Sequence, residues 1–156
     1  MLATLLAHLV LSTDPAVCLP TPSALKRFGD ESVTAFQEAR AVDDPKAPKF
    51  TGAPADAHLV LRVIWAAAGN KQPLKALRPL MEDSFTWSFG GDADADQAVS
   101  EWAKDPKLPQ AVRAALSGKC KTTKDSLTCE PKKPGPRLVL EKNEGCWRWS
   151  AFVAGD

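Results

Sequence analysis

The chain has no tyrosine and only two histidines among its 156 residues. The first absence removes every phenolic acid and donor from the chemistry open to it, and the second leaves little imidazole for base catalysis or metal ligation. An excess of charge of one sign is missing too. Twenty Lys and Arg stand against nineteen Asp and Glu, a formal net charge of +1, so no global field draws the chain onto nucleic acid or an anionic bilayer, and no nucleic-acid partner is expected. No apolar run approaches the ~20 residues of a membrane-spanning helix, so no transmembrane anchor is expected. The G-x-S-x-G elbow, the H-E-x-x-H helix and the glycine-rich phosphate loop are absent, which gives no footing to a serine hydrolase, a zinc protease or a nucleotide enzyme. Without a C-x-x-C pair there is no zinc signature, and without internal repeats a solenoid is not in play. No cofactor is implied.

What is present describes a single globular domain. The length suits one core that buries about two-thirds of the unfolded surface. Hydrophobic residues make up 44% and charged residues 25%, as in ordinary folded proteins. The aromatic inventory is five Trp and six Phe.

The first residues read MLATLLAHLVLSTDPAVC. Residues 2–11 have the length of a signal-peptide core, and Val10-Leu11-Ser12 offers a cleavage site, which predicts a signal peptide over 1–12 and a mature domain over 13–156. The protein is then periplasmic or secreted. If the run is instead an apolar first helix packed on the domain, the protein is cytoplasmic. The four cysteines, Cys18, Cys120, Cys129 and Cys146, all survive such a cleavage, and an even count agrees with an oxidising compartment. Of the three possible pairings, Cys120 with Cys129 closes the short arc of a hairpin, leaving Cys18 to tie the N-terminus to the last strand at Cys146.

Helical spacing runs from Ser23 through Leu25, Phe28, Val33 and Phe36, interrupted by Gly29-Asp30. Residues 43–55, with three prolines, are a loop. In ADAHLVLRVIWAAAGN, Asp56 is placed to cap a helix over Leu59–Ala68 that stops at Gly69-Asn70. Only His58 and Arg62 form a polar stripe on it, so this helix is expected at the centre of the fold. A short helix is predicted from Pro73 to about Met81, ended by Pro79. SFTWSF then alternates as a strand, with Phe85, Trp87 and Phe89 on one face. Two more helices follow, around Val99 and over Pro109–Leu116. The rest reads as strands at roughly 119–124, 126–130, 137–142 and 146–154. In the last strand, Trp147, Trp149, Ala151 and Val153 share one face, and Cys146, Arg148, Ser150 and Phe152 the other. Lys119, Lys121, Lys124, Lys132, Lys133 and Arg137 crowd a segment with only Asp125 and Glu130 as acids. A lysine-protected hairpin edge accounts for them better than a polyanion site.

Three constellations could carry function. Asp92, Asp94 and Asp96 alternate after Gly90-Gly91 and suggest a calcium loop. Such a loop needs glycine at its sixth position and glutamate at its twelfth, where this chain has Gln97 and Ala103. Asp94 as N-cap with Gln97 at N3 forms a capping box instead, and Asp96 in the first turn suits the helix dipole. Metal binding by Asp92, Asp94 and Asp96 is the alternative. Among the carboxylates Glu82, Asp83, Asp92 and Glu141, nothing selects one as a base, so no catalytic residue is named. The aromatic set Phe85, Trp87, Phe89, Trp147 and Trp149, with His58, either lines a pocket for a small apolar ligand or forms the core between sheet and helices.

A helix ending in "WAAAGN", a short helix "PLKALRPLM", the aromatic strand in "EDSFTWSFGG", a helix opening in "DADQAVSEW" and the closing "GCWRWSAFVAGD" together resemble the nuclear transport factor 2-like superfamily, particularly its SnoaL-like members, over about two-thirds of the chain. The resemblance implies a curved antiparallel sheet wrapped on helices into a cone with a cavity. It also implies an Asp or His as proton-transfer base in the enzymes of the superfamily. No Asp-His pair here matches that pattern, and the tyrosine used by ketosteroid isomerases does not exist in this chain. The expectation is therefore an α+β domain, N-terminal helices packed on a curved antiparallel sheet, that binds a small apolar ligand or a protein partner without catalysis. The alternative is a small isomerase or lyase using a cavity carboxylate.

Overall fold

The computed structural model describes residues 20, 22–69, 77–87 and 94–154. Within them lie four helices of eight residues or more and a five-stranded sheet, an α+β fold. A short helix α1 (Pro22–Leu25) passes into a 3-10 turn at Lys26–Phe28. Gly29, at φ +84°, makes the expected break, in a backbone region that a side chain resists. Helix α2 (Asp30–Ala41) then opens with Asp30 and Glu31 in its first turn, where the dipole favours them.

Helix α3 (His58–Gly69) buries Val60, Leu61 and everything from Val63 to Ala68, leaving Arg62 exposed and His58 half-buried. It packs between α2 and α5 (Leu108–Leu116), the central position its missing polar face requires. Asp56 is not spent on its cap. It sits in the preceding 3-10 turn (Ala55–Ala57) and accepts a hydrogen bond from Lys142 Nζ at 2.8 Å.

Of the short helix expected from Pro73, residues 73–76 lie outside the described residues. At Leu77 the chain is helical, then Arg78–Leu80 forms a 3-10 turn around Pro79 and the chain becomes strand β1 (Met81–Trp87). Proline cannot donate the next helical hydrogen bond, so Pro79 ends the helix as expected, but Met81 belongs to the strand and not to the helix, and the strand starts three residues before Ser84. Phe85 and Trp87 point inward while Ser84 and Thr86 are exposed, as the alternation requires. Phe89, Asp92, Cys18 and the predicted signal segment 1–12 lie outside the described residues.

Helix α4 (Ala95–Trp102) and α5 lead to β2 (Lys119–Thr122), β3 (Ser126–Glu130), β4 (Arg137–Asn143) and β5 (Cys146–Val153). The sheet order is β1-β5-β4-β3-β2. Strands β2 to β5 form the expected antiparallel meander, but β1 pairs parallel with β5, so the sheet is mixed and not wholly antiparallel. The long connection from β1 to β5, through α4, α5 and the strands β2 to β4, permits this, because parallel neighbours cannot be joined by a tight turn.

One inward row crosses all five strands: Cys120, Cys129, Leu138, Phe152 and Trp87 occupy matched register positions. Phe152 reaches that row because of a bulge. Val139 pairs with Ala151 and Leu140 with Trp149, leaving Ser150 unmatched on β5. An extra residue reverses the in-out alternation beyond it. The buried set on β5 is thus Trp147, Trp149 and Phe152, and the expected inward position of Val153 is corrected. Ser150 Oγ donates to the Val139 carbonyl at 3.2 Å, and Trp149 Nε1 to the Ala151 carbonyl at 2.9 Å, which fixes the bulge in place.

The far edge strand is protected. The Cys120 N–H donates to the Thr51 carbonyl and Thr122 Oγ1 to the Gly52 carbonyl, so the loop before α3 covers β2, while Lys119 and Lys121 point to solvent. Cys120 and Cys129 face each other across β2 and β3 and form the expected disulfide. Cys146 is disulfide-bonded as well.

Candidate functional site

Phe85, Trp87 and Trp149 come together with two rings not among the expected set, Trp102 of α4 and Phe152. Trp102 lies 5.2 Å from Phe85, 5.5 Å from Trp149 and 6.0 Å from Phe152, centroid to centroid, mostly edge to face. These are the separations of rings in direct contact, and Trp149 and Phe85 are fully buried. Trp147 is buried farther along β5, with the Lys142 ammonium 5.4 Å from its ring. His58 stands apart: its Nε2 lies 3.2 Å from the Ala53 carbonyl and its ring packs on Phe50.

The groove of the molecule lies elsewhere, where the 3-10 turn after α1, the start of β1 and the start of α4 meet. Two adjoining clefts, about 500 Å³ and 380 Å³, share Arg27, Phe28 and Asp83. The first is completed by Arg78, Asp94 and Asp96, the second by Glu82, Glu144 and Arg148.

Arg78 organises it. This side chain is buried, with 8% of the residue exposed. Its Nε donates to Asp96 Oδ1 at 2.8 Å and its Nη2 to Asp83 Oδ1 at 2.6 Å. Nη1 is buried without a hydrogen-bond partner among the described residues. Burial alone would push the guanidinium pKa down, but the hydrogen bonds and charges of Asp96 and Asp83 outweigh it and the value rises. The Arg78 hydrogen bond in turn holds the Asp83 carboxyl below the usual carboxylate value, against slight burial. Phe28 receives two guanidinium groups, with Arg27 4.4 Å and Arg78 4.9 Å from its ring centre. On the other wall Arg148 Nη1 donates to the Pro79 carbonyl at 3.0 Å.

Asp94 and Asp96 both find structural uses. Asp94 is the N-cap of α4, its side chain accepting from the Gln97 N–H at 3.0 Å. Asp96 lies in the first turn and is engaged by Arg78. Among the described residues no group of three or more His, Cys, Asp or Glu is placed to hold a metal.

A second polar cluster fastens the helices. Trp65 Nε1 donates to Asp44 Oδ2 at 2.9 Å, and Arg113 stacks on the Trp65 ring at 4.3 Å while donating to its carbonyl. The Lys46 N–H, the Trp65 indole and the Arg113 charge hold the Asp44 carboxyl below its ordinary value.

Sequence reasoning did not find Arg27, Phe28, Arg78 or Arg148 as a group. One signal existed: Arg78 is a lone charge between Leu77 and Pro79-Leu80-Met81, and a charge in an apolar stretch needs a partner. Comparisons of the chain with protein-family models, curated proteins and solved structures returned no match.

Proposed function

We propose that the protein is a non-catalytic binding domain of the secreted or envelope space, and that the groove around Arg27, Phe28 and Arg78 receives a protein partner. The use of the aromatic residues carries this reading. Phe85, Trp87, Trp102, Trp149 and Phe152 pack ring against ring to join sheet and helices, so they offer no walls to a small apolar ligand. The groove is open and polar, and the carboxylates of its ion pairs face water. Arginine stacked on an aromatic ring inside a polar rim is the make-up of a protein interface, whereas a pocket for apolar molecules is enclosed and mostly apolar. The Cys120–Cys129 bridge supports an oxidising compartment, periplasmic or secreted. Helices packed with a five-stranded sheet are compatible with the cone-like architecture of the nuclear transport factor 2-like superfamily, and membership in it is part of the proposal.

Peptide display on the immobilised, oxidised protein tests it. Selected peptides should shift the Arg27, Phe28 and Arg78 resonances in NMR titrations and lose about tenfold or more in affinity, ~1.4 kcal/mol, to the Arg27→Ala/Phe28→Ala variant. Peptides that bind this variant as well as the native protein would refute the groove. Saturable binding of an apolar dye that quenches the buried tryptophans would favour the small-ligand reading instead.

A second reading, a small isomerase or lyase, has one observation in its favour. Glu82 Oε1 is buried in the groove without a hydrogen-bond partner among the described residues, as a proton-abstracting carboxylate would be before its substrate arrives. It predicts deuterium exchange into small ketones in heavy water, abolished by Glu82→Gln. No exchange by the native protein across a panel of such ketones discards it.

A further inference from the structure

Edge protection accounts for part of the basic segment only. Lys119 and Lys121 project from edge strand β2, and Lys124 sits in the β2–β3 turn. Lys132, Lys133 and Arg137 do not lie on the edge. They follow β3, in the connection to β4 and at the first position of β4, and together with Glu130, Pro131 and Pro134 they line one cleft of about 370 Å³.

Several features make this cleft suited to an anion. Lys132 and Lys133 are exposed. The one acid in its lining, Glu130, has its charge met by Lys121, whose Nζ lies 3.9 Å from Glu130 Oε2. Register places Lys119 opposite Glu130, bringing a further cation to the same end of the sheet. Prolines at 131, 134 and 136 restrict the backbone between β3 and β4, so the loop cations are held near their places before a ligand arrives. Arg137 has a further contact of its own and serves here as a wall.

The lining also narrows the kind of anion. Among the described residues no aromatic ring faces the cleft, so the bases of a single-stranded nucleic acid would find no stacking platform there. Nor do the described residues place a large apolar side chain there to enter a bilayer. What remains is a chain whose charged oxygens supply the whole interaction. We propose that the β3–β4 connection is a binding site for an acidic polysaccharide, whose sulfate or carboxylate groups pair with Lys132 and Lys133, with Lys119 and Arg137 flanking. The site is separate from the Phe28 groove. Arg137 opens β4 and Asn143, a wall of the groove, closes it, about 20 Å away at the rise of a strand.

The test titrates the oxidised protein with dextran sulfate, polygalacturonate, neutral dextran and single-stranded DNA. One or both acidic polysaccharides should bind, which distinguishes sulfate from carboxylate recognition, and binding should weaken steadily as salt rises from ~0.05 to ~0.5 M. Lys132→Gln/Lys133→Gln should weaken it about tenfold with an unchanged thermal midpoint, since both side chains are exposed. Lys124→Gln, at the other end of the hairpin, should leave it unchanged. The proposal is overturned if neither acidic polysaccharide binds, if neutral dextran or single-stranded DNA binds as tightly, or if Lys124→Gln weakens binding as much as the loop variant.

Discussion

Replacing Arg78 with methionine removes the guanidinium while retaining most of the buried stem, and so isolates the ion pairs that tie β1 to α4. Two good charge-assisted hydrogen bonds disappear, at 2.8 Å to Asp96 and 2.6 Å to Asp83. In a buried setting each would contribute about 1.5 to 3 kcal/mol. Here the acceptors are 78% and 69% exposed, which brings the figure toward the ~1 kcal/mol upper end for solvated pairs. The two together contribute about 2 kcal/mol. Against this, methionine relieves the desolvation of a guanidinium whose Nη1 has no partner among the described residues, and the freed aspartates return to water at little cost. The net loss should be about 1 to 2 kcal/mol. Arg78→Ala also strips about two methylenes from the core and the stacking on Phe28, adding about 1.5 kcal/mol. Urea midpoints at ~0.1 M and ~1 M salt measure both, and the Arg78→Met deficit should shrink at high salt. A methionine variant as stable as the native protein would refute the reasoning, because replacement of a buried ion pair by an apolar side chain would then be neutral.

Four further outcomes are expected. Asp94→Ala should lower stability by about 1 kcal/mol, with no difference between calcium and chelator in thermal unfolding. Gly118→Ala should cost about 3 kcal/mol or more, since the new Cβ would fall 1.6 Å from the Glu130 carbonyl oxygen, a backbone atom that cannot swing aside. Denaturant unfolding should find Phe152→Ala down by about 3 to 5 kcal/mol and Val153→Ala by less than ~1 kcal/mol; the reverse order would mean that Ser150 is not a bulge. Asp83 is held below its ordinary pKa by the Arg78 hydrogen bond; for Asp56 burial pushes the value up, but the Lys142 hydrogen bond and charge together with its other hydrogen bonds outweigh that and hold it below the ordinary value. A depressed carboxyl contributes stability that is present above the unfolded value, about 3.9, and is lost as pH falls through the lower folded value. Urea midpoints should therefore drop below about pH 4, less steeply in Asp83→Asn and Asp56→Asn.

What could be read along the chain was local. The Gly29 break, the Asp94 cap, the stop at Pro79, the alternation of Phe85 and Trp87 and the Cys120–Cys129 hairpin each depend on residues within a few positions of one another. Helix periodicity, capping and turn chemistry act at that range. The central place of α3 was legible for the same reason, since a helix with one short polar stripe has nowhere else to go.

Tertiary structure decided what distant segments share. Whether β1 ran parallel or antiparallel to β5 depended on the path of the chain through two helices and three strands between them, and the bulge at Ser150 was set by pairing with Val139 and Leu140 of another strand. One unmatched residue moved Phe152 into the core and Val153 out of it. The choice between pocket and core for the aromatic strand was made by Trp102, brought from α4 into contact with Phe85 and Trp149. Arg78 acquired its meaning the same way, from Asp96, eighteen residues along the chain. Sequence alone determined that β1 would carry Phe85 and Trp87 on one face; only the fold decided which rings meet there and which charges meet at its edge, because those contacts join residues whose separation along the chain carries no information about their distance in space.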